Sequence, residues 1–301
     1  MKHQKWLWGA LLSLLILGGC GVKTEEPPIV LGKMTQTMSK LEQLEFSGEF
    51  NLVGNSTLPL LQGLQDLRIT GNGAVNLADI NNLRYLLNLI IGGKGSEGNT
   101  EIGAELRSFP DCNYFRITRI AVPLGLPFSL SADNKWYQIK SGGQNREWLG
   151  SSQPLSFEQM QQIRALLAQS KLFNVVQKFP DDTANGARTY HWQVAVDNEV
   201  LRAVLLNWSN ITNPTESVDL EKWTAMLSDY DYEFWINKRD YRLMRANIKG
   251  WYDDSAGQRA DFTIKINLNK FSSIVAIERP ANVQEFDLRE ILGLPLANSL
   301  Q

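Results

Sequence analysis

Cysteine is nearly missing from this chain, with 2 in 301 residues, and histidine is equally scarce at 2. The first shortage excludes a disulfide framework, and the second leaves too few imidazoles for a histidine-built metal site. There is no surplus of positive charge either: 30 lysines and arginines stand against 32 aspartates and glutamates, a formal net charge of −2. That balance supplies no basic field for nucleic acid and no electrostatic grip on anionic headgroups. No apolar run reaches the ~20 residues of a membrane-spanning helix. A nucleophile elbow, a phosphate-binding glycine loop and a cysteine pair are all missing.

The chain does carry a short apolar run, Leu7 to Leu17, behind Lys2 and Lys5 and ahead of Gly18-Gly19-Cys20. A positive start, an apolar segment and small residues before a cut are the parts of a secretory signal. Leu17 three places before Cys20, with glycines between, is the lipobox pattern, so residues 1–19 read as a leader and Cys20 as the lipidated first residue. The thiol takes a diacylglyceryl group, and two or more chains of the palmitate kind hold a protein stably at about 0.8 kcal/mol per buried methylene. This predicts a body outside the cytoplasm, anchored on the extracytoplasmic face of a bacterial membrane. Residues 20–33, with Pro27-Pro28, read as a tether, and 34–301 as one domain. Cys112 is then the one free thiol, expected to be buried as a small hydrophobe.

Met34, Met38, Leu41 and Leu44 recur at helical spacing and predict a first helix. Strand alternation follows at Phe46–Leu52, Leu67–Leu77, Ile102–Leu106 and Cys112–Arg119, while Leu83–Ile91 is apolar on nearly both faces and predicts burial on both. Glycines at 71, 73, 92, 93, 95 and 98 mark turns, bulges or curvature in these strands. A long, bending antiparallel sheet is the simplest solution. The proline-broken segment Ala121–Leu130 reads either as a plug over a core edge or as a lid over an apolar cavity. Lys135–Ile139 resumes the strand pattern.

Ser156-Phe157-Glu158-Gln159 is a capping box, opening a helix with Phe157, Met160, Ile163, Leu166 and Leu167 on its stripe. After a strand at Arg188–Val196, Asn198 caps a second such helix carrying Val200, Leu201, Val204, Leu205 and Trp208, and a short third runs from Asp219 to Leu227. Strands at Tyr232–Ile236, Arg242–Tyr252 and Arg259–Leu268 end the pattern, the last two joined by a hairpin loop at 253–258, and residues 280–295 read as an irregular tail.

Beyond the leader the single histidine is His191, between Tyr190 and Trp192, a structural position with no partner for metal. Asp181-Asp182 and Asp253-Asp254 read as solvated turns. No enzymatic activity, cofactor or metal is expected. The aromatic residues Phe115, Trp136, Tyr137, Trp192, Trp208, Trp223, Trp235, Trp251 and Phe262 are spread over many elements. They fit either core packing or the lining of an apolar pocket.

Taken together, the lipobox, the short tether, Leu41 followed by Phe46-Ser47-Gly48-Glu49-Phe50, and the Lys135-Trp136-Tyr137-Gln138-Ile139 strand resemble the lipoprotein-carrier superfamily. That superfamily includes the LolA and LolB localisation factors and the LppX/LprG lipoproteins. The resemblance spans roughly 34–290 and implies an α+β fold: a large curved antiparallel sheet, an open half-barrel, wrapped around a few helices. It implies a lipid or other apolar ligand between sheet and helices, though no residue here carries over as a defined ligand contact; from this chain's own apolar residues, Phe115, Leu126, Phe128, Trp136, Ile163 and Leu167 are the expected lining. A second expectation is a structural or partner-binding envelope lipoprotein, a sensor with the same fold and a closed cavity. The helical stretch at 198–228 departs from the family pattern.

Overall fold

The alternating segments gather into a single sheet in the computed structural model, which describes residues 25–54, 65–78, 83–95, 98–121, 134–140, 156–212, 219–253, 259–271 and 276–286. Its strands are β1 (Gln43–Val53), β2 (Gln65–Asn76), β3 (Arg84–Gly95), β4 (Gly98–Ser108), β5 (Cys112–Ala121), β6 (Trp136–Lys140), β7 (Phe173–Lys178), β8 (Asp182–Ala184), β9 (Ala187–Val196), β10 (Asp231–Asn237), β11 (Leu243–Asp253), β12 (Arg259–Phe271) and β13 (Val283–Phe286). The spatial order is β13-β6-β5-β4-β3-β2-β1-β12-β11-β10-β9-β7, with β8 beside β9. Every pair is antiparallel except β13 with β6. The edge strands β7 and β13 do not meet, so the sheet is open. So many strands curl rather than stay flat. The architecture is α+β with a large curved antiparallel sheet, as expected.

Four helices occur among the described residues: α1 (Pro27–Ser39), α2 (Phe157–Gln169), α3 (Asn198–Thr212) and α4 (Leu220–Ser228). None is long and apolar enough to cross a membrane. Helix α1 packs Val30, Leu31 and Met34 onto Tyr190, Trp192 and Val194 of β9, Tyr232, Phe234 and Ile236 of β10, and Ala246 of β11. Full burial of each such side chain contributes about 1.5–3 kcal/mol, which is what holds α1 to the sheet. The face it covers is the inner face. Helix α2 touches α1 and α3, and α3 touches α4.

The caps explain where the helices start. Ser156 accepts from the Gln159 amide at 3.1 Å while Gln159 reaches back to the Ser156 amide at 2.8 Å, the capping box expected from sequence. Asp219 caps α4 through the Lys222 amide at 3.0 Å. On α3 the cap is Asp197, whose carboxylate accepts from the Val200 amide at 3.1 Å, and not Asn198, which is already helical.

Other expectations shift. The first helix begins at Pro27 and ends at Ser39, so residues 27–33 are helical rather than tether, and Leu44 belongs to β1. The reason is that a proline at N1 forfeits no helical hydrogen bond and already has the right φ. The strand over 84–95 is not buried on both faces: Ile90 is 46% exposed. The supposed irregular tail at 280–295 is regular in part, because β13 pairs in parallel with β6; just ahead of it, Ile277 is buried among Phe109, Cys112, Tyr114 and Trp136. Strands β7 and β8 were not anticipated. Residues 122–133, which hold most of the lid or plug, and 254–258 of the expected hairpin loop lie outside the described residues.

Candidate functional site

Pairing register assigns each strand residue to a face, because alternate side chains point opposite ways. From β12 to β5 the inner face carries Phe262, Ile264 and Ile266, then Phe46, Phe50 and Leu52, then Leu67 and Ile69, then Leu87, Leu89 and Ile91, then Ile102 and Leu106, then Phe115 and Ile117. No charged residue falls on this face of β12, β1, β2, β3, β4 and β5 in the paired register. Its polar groups are Tyr85, Ser108 and Asn113 toward one end and Thr100 toward the other. Ser108 donates to Asn113 at 2.6 Å, whereas the buried Thr100 hydroxyl has no partner. Phe46, Phe50, Leu87, Leu89, Ile102 and Leu106 are all only half-buried.

Across the middle of this face runs a row in which every residue but Leu89 is small. Gly48 pairs with Gly71, Gly71 with Leu89, and Leu89 with Ala104. Behind that row, on the outer side of the sheet, a cleft of about 390 Å³ is bordered by Thr118 and by Ser47, Thr70, Asn72, Asn88 and Ile90, which the register turns away from the inner face. The opposite, outer face is polar, and its charges are paired: Glu49 with Arg68 at 3.0 Å, Glu105 with Arg107 and Arg116, and Lys270 with Glu45 at 3.0 Å.

The residues expected to line a cavity are not brought together as a group. Phe115 is on the inner face, stacked on Tyr137 at 5.4 Å between centroids. Because Phe115 pairs with Tyr137, the neighbouring Trp136 points to the outer face, where it is buried between the guanidinium groups of Arg107 and Arg116 at 4.6 and 4.8 Å. Ile163 is buried on α2 and Leu167 half-buried. Leu126 and Phe128 lie outside the described residues. The inner-face rows of β1 to β4 were not singled out from the sequence, although their alternation was the available signal.

His191 is structural, but not by hydrogen bonding. Its ring lies 4.2 Å from Trp235 and 4.5 Å from Phe179, and its Nε2 is buried without a partner. Burial lowers its pKa from the ordinary 6.5, against the nearby Glu233 and Asp182 carboxylates. The aspartate pair is not simply solvated. Asp182 accepts from the Thr183 amide at 2.6 Å and the Trp235 indole at 2.9 Å, which hold its carboxyl below the usual range, while Asp181 pairs with Lys238. A native state that keeps His191 neutral binds fewer protons than the unfolded chain once pH falls below about 6.5. Stability is therefore expected to fall with pH from there downward, and His191→Phe to flatten that slope in urea midpoints taken between about pH 5 and 8. An unchanged slope would remove His191 as its source.

Among the described residues no group of three or more His, Cys, Asp or Glu could hold a metal ion. What the fold and face define is an open α+β half-barrel with an uncharged apolar interior. No protein-family model matches the sequence, and no curated protein matches it. Among solved structures the chain is similar to the lipoprotein LprF from Mycobacterium bovis, of the LppX/LprG group, with 13% identity over 84% of this chain and 96% of that one and a TM-score of 0.47. A β-barrel-like protein of a domain of unknown function from Brucella abortus follows at 8% identity, 77% and 98% coverage and a TM-score of 0.20. A porin-like protein from Bacteroides uniformis has 7% identity, 78% and 97% coverage and a TM-score of 0.21.

Proposed function

We propose that this chain is a lipid-anchored envelope protein that binds or carries a lipid or other apolar molecule on the inner face of its sheet. The observation that carries the reading is the uncharged, half-buried inner face of β12 through β5, which a hydrocarbon chain would cover at a gain of about 25 cal/mol per Å² of apolar surface. The lipobox at Cys20 supports placement at a bacterial membrane. The reading requires no bond chemistry, no cofactor and no nucleic acid.

The test is to purify the protein gently, extract it, and look for bound apolar molecules by mass spectrometry. Leu89→Glu puts a carboxylate on the inner face and is expected to abolish stoichiometric binding, because an unpaired charge under hydrocarbon is strongly disfavoured. Asn88→Glu, on the outer face of the same strand, is expected to leave binding intact. Failure to recover any apolar molecule, before or after incubation with membrane lipid, would sink the reading.

A second reading has its own support. Phe157 of α2, Leu206 and Trp208 of α3, and Trp223 of α4 are 40–56% exposed. Surfaces of that kind suit a protein partner in the envelope. Cross-linking from these helices, with the inner face found empty, would favour it.

A further inference from the structure

The backbone entering the domain is fixed at Glu25, whose carboxylate accepts from Lys33 at 2.7 Å and from the Tyr241 hydroxyl at 2.9 Å. Tyr241 is in the turn between β10 and β11 at φ 60°, a conformation that a bulky residue adopts only when its surroundings hold it. This turn lies at the end of the sheet where β12 finishes and β1 begins, Phe271 pairing with Leu44. Along the same rim Tyr85 pairs with Ser108, and Ser108 with Asn113. The inner-face side chains one step in from the rim are Phe46, Leu87, Leu106 and Phe115.

We propose that the domain stands on the bilayer by this rim, with Ile29 in contact with lipid, so that the apolar inner face opens toward the membrane. The proposal rests on the reading of Cys20 as acylated. Cys20 and Glu25 are five residues apart in sequence. Whatever path those residues take, they reach no more than about 18 Å. The 11 residues of β1 rise about 34 Å from this rim to the opposite end. Tilted by about 40°, they still separate the two ends by roughly 26 Å. The tether therefore cannot let the far end, at Val53, rest on the bilayer.

The chemistry of the contact is apolar rather than ionic. Ile29 is on the first turn of α1 and 51% exposed. Three cations around it are matched, Lys33 by Glu25, Lys238 by Asp181 and Arg242 by Asp240 at 3.4 Å, which leaves the exposed Arg239 of the same turn outside an ion pair among the described residues. With one such cation the partner is a bilayer with little regard to headgroup charge, and contact weakens little with salt. An acyl chain could then pass between bilayer and sheet at the rim without crossing water.

The experiment uses the full acylated protein in phosphatidylcholine vesicles. Single substitutions Ile29→Cys, Arg239→Cys, Val53→Cys and Lys265→Cys each carry an environment-sensitive dye, quenched by nitroxide-bearing lipid. Acylation occupies Cys20 and Cys112 is buried, so only the added thiol reacts. Strong quenching at 29 and 239, with little at 53 and 265, is the expected result. Quenching at 53 or 265 that equals or exceeds that at 29 overturns the orientation. Intact mass reports the premise separately: an unacylated Cys20 overturns the anchoring and the orientation with it, whatever the inner face binds.

Discussion

Gly71→Val is expected to destabilise the protein by about 3 kcal/mol, at the upper end of what overpacking usually costs. A Cβ at position 71 would sit 2.6 Å from the Asn88 carbonyl oxygen and 2.8 Å from Leu89 Cδ2. The leucine tip can rotate aside, but the carbonyl belongs to the backbone of β3. Relief would require β2 and β3 to move apart where Gly71 and Leu89 pair. Its register partner makes the contrast. A Cβ on Gly48 would meet only the Lys265 carbonyl oxygen, at 3.1 Å, a contact that a shift of a few tenths of an ångström relieves. Replacing a strand glycine also recovers about 0.5–1 kcal/mol of unfolded-chain entropy, so Gly48→Ala is expected to be near neutral. Urea midpoints at unchanged m would measure both. Equal losses in the two variants would show that steric crowding is not what keeps glycine at 71.

This pair also shows what could be read from the chain and what could not. Alternation of apolar and polar residues predicted most strands, and glycines at 71 and 73 signalled turns, bulges or curvature, but the crowding that keeps glycine there depends on which strands lie opposite one another, a property of pairing. Trp136 and Phe115 illustrate the cost. Both are aromatic strand residues, and nothing local separates them. Once Phe115 pairs with Tyr137, Trp136 is committed to the other face, since an offset of one residue exchanges every side chain across a sheet. Local signals fared better where the chemistry is local, as at Ser156 and Gln159, whose reciprocal bonds involve four consecutive residues. The Pro27-Pro28 pair misled because proline both breaks helices and begins them, and only packing of Val30, Leu31 and Met34 against β9 and β10 decides between the two. The parallel strand β13 had no signature beyond Val283-Gln284-Glu285-Phe286, too short to distinguish from a turn. The apolar inner face was legible strand by strand, while its lack of charge from β12 to β5 emerges only after the strands are aligned.

The second large effect concerns the outer face. Glu105→Ala is expected to cost about 3 kcal/mol, because it strips the shared counter-ion from two cations. Glu105 is 6% exposed; its carboxylate accepts from Arg107 Nε at 2.9 Å and from Arg116 Nε at 2.9 Å. Both guanidinium groups lie against the ring of Trp136, and Arg107 also donates to the Glu278 carbonyl at 2.8 Å, tying β4 to the segment that covers this cluster. Without the carboxylate, two positive charges would face each other across one indole. The loss sits at the low end for a buried pair because the arginine side chains keep 24% and 31% of their exposure, where water screens them. Denaturation midpoints would report the loss, and Arg107→Met combined with Glu105→Ala should recover part of it by removing one of the stranded cations. A double variant less stable than Glu105→Ala alone would mean that Arg107 acts through its stem against Trp136 rather than through its charge. In either case apolar ligand binding should persist while the fold holds, since Glu105, Arg107, Arg116 and Trp136 all project from the face opposite Leu106 and Phe115.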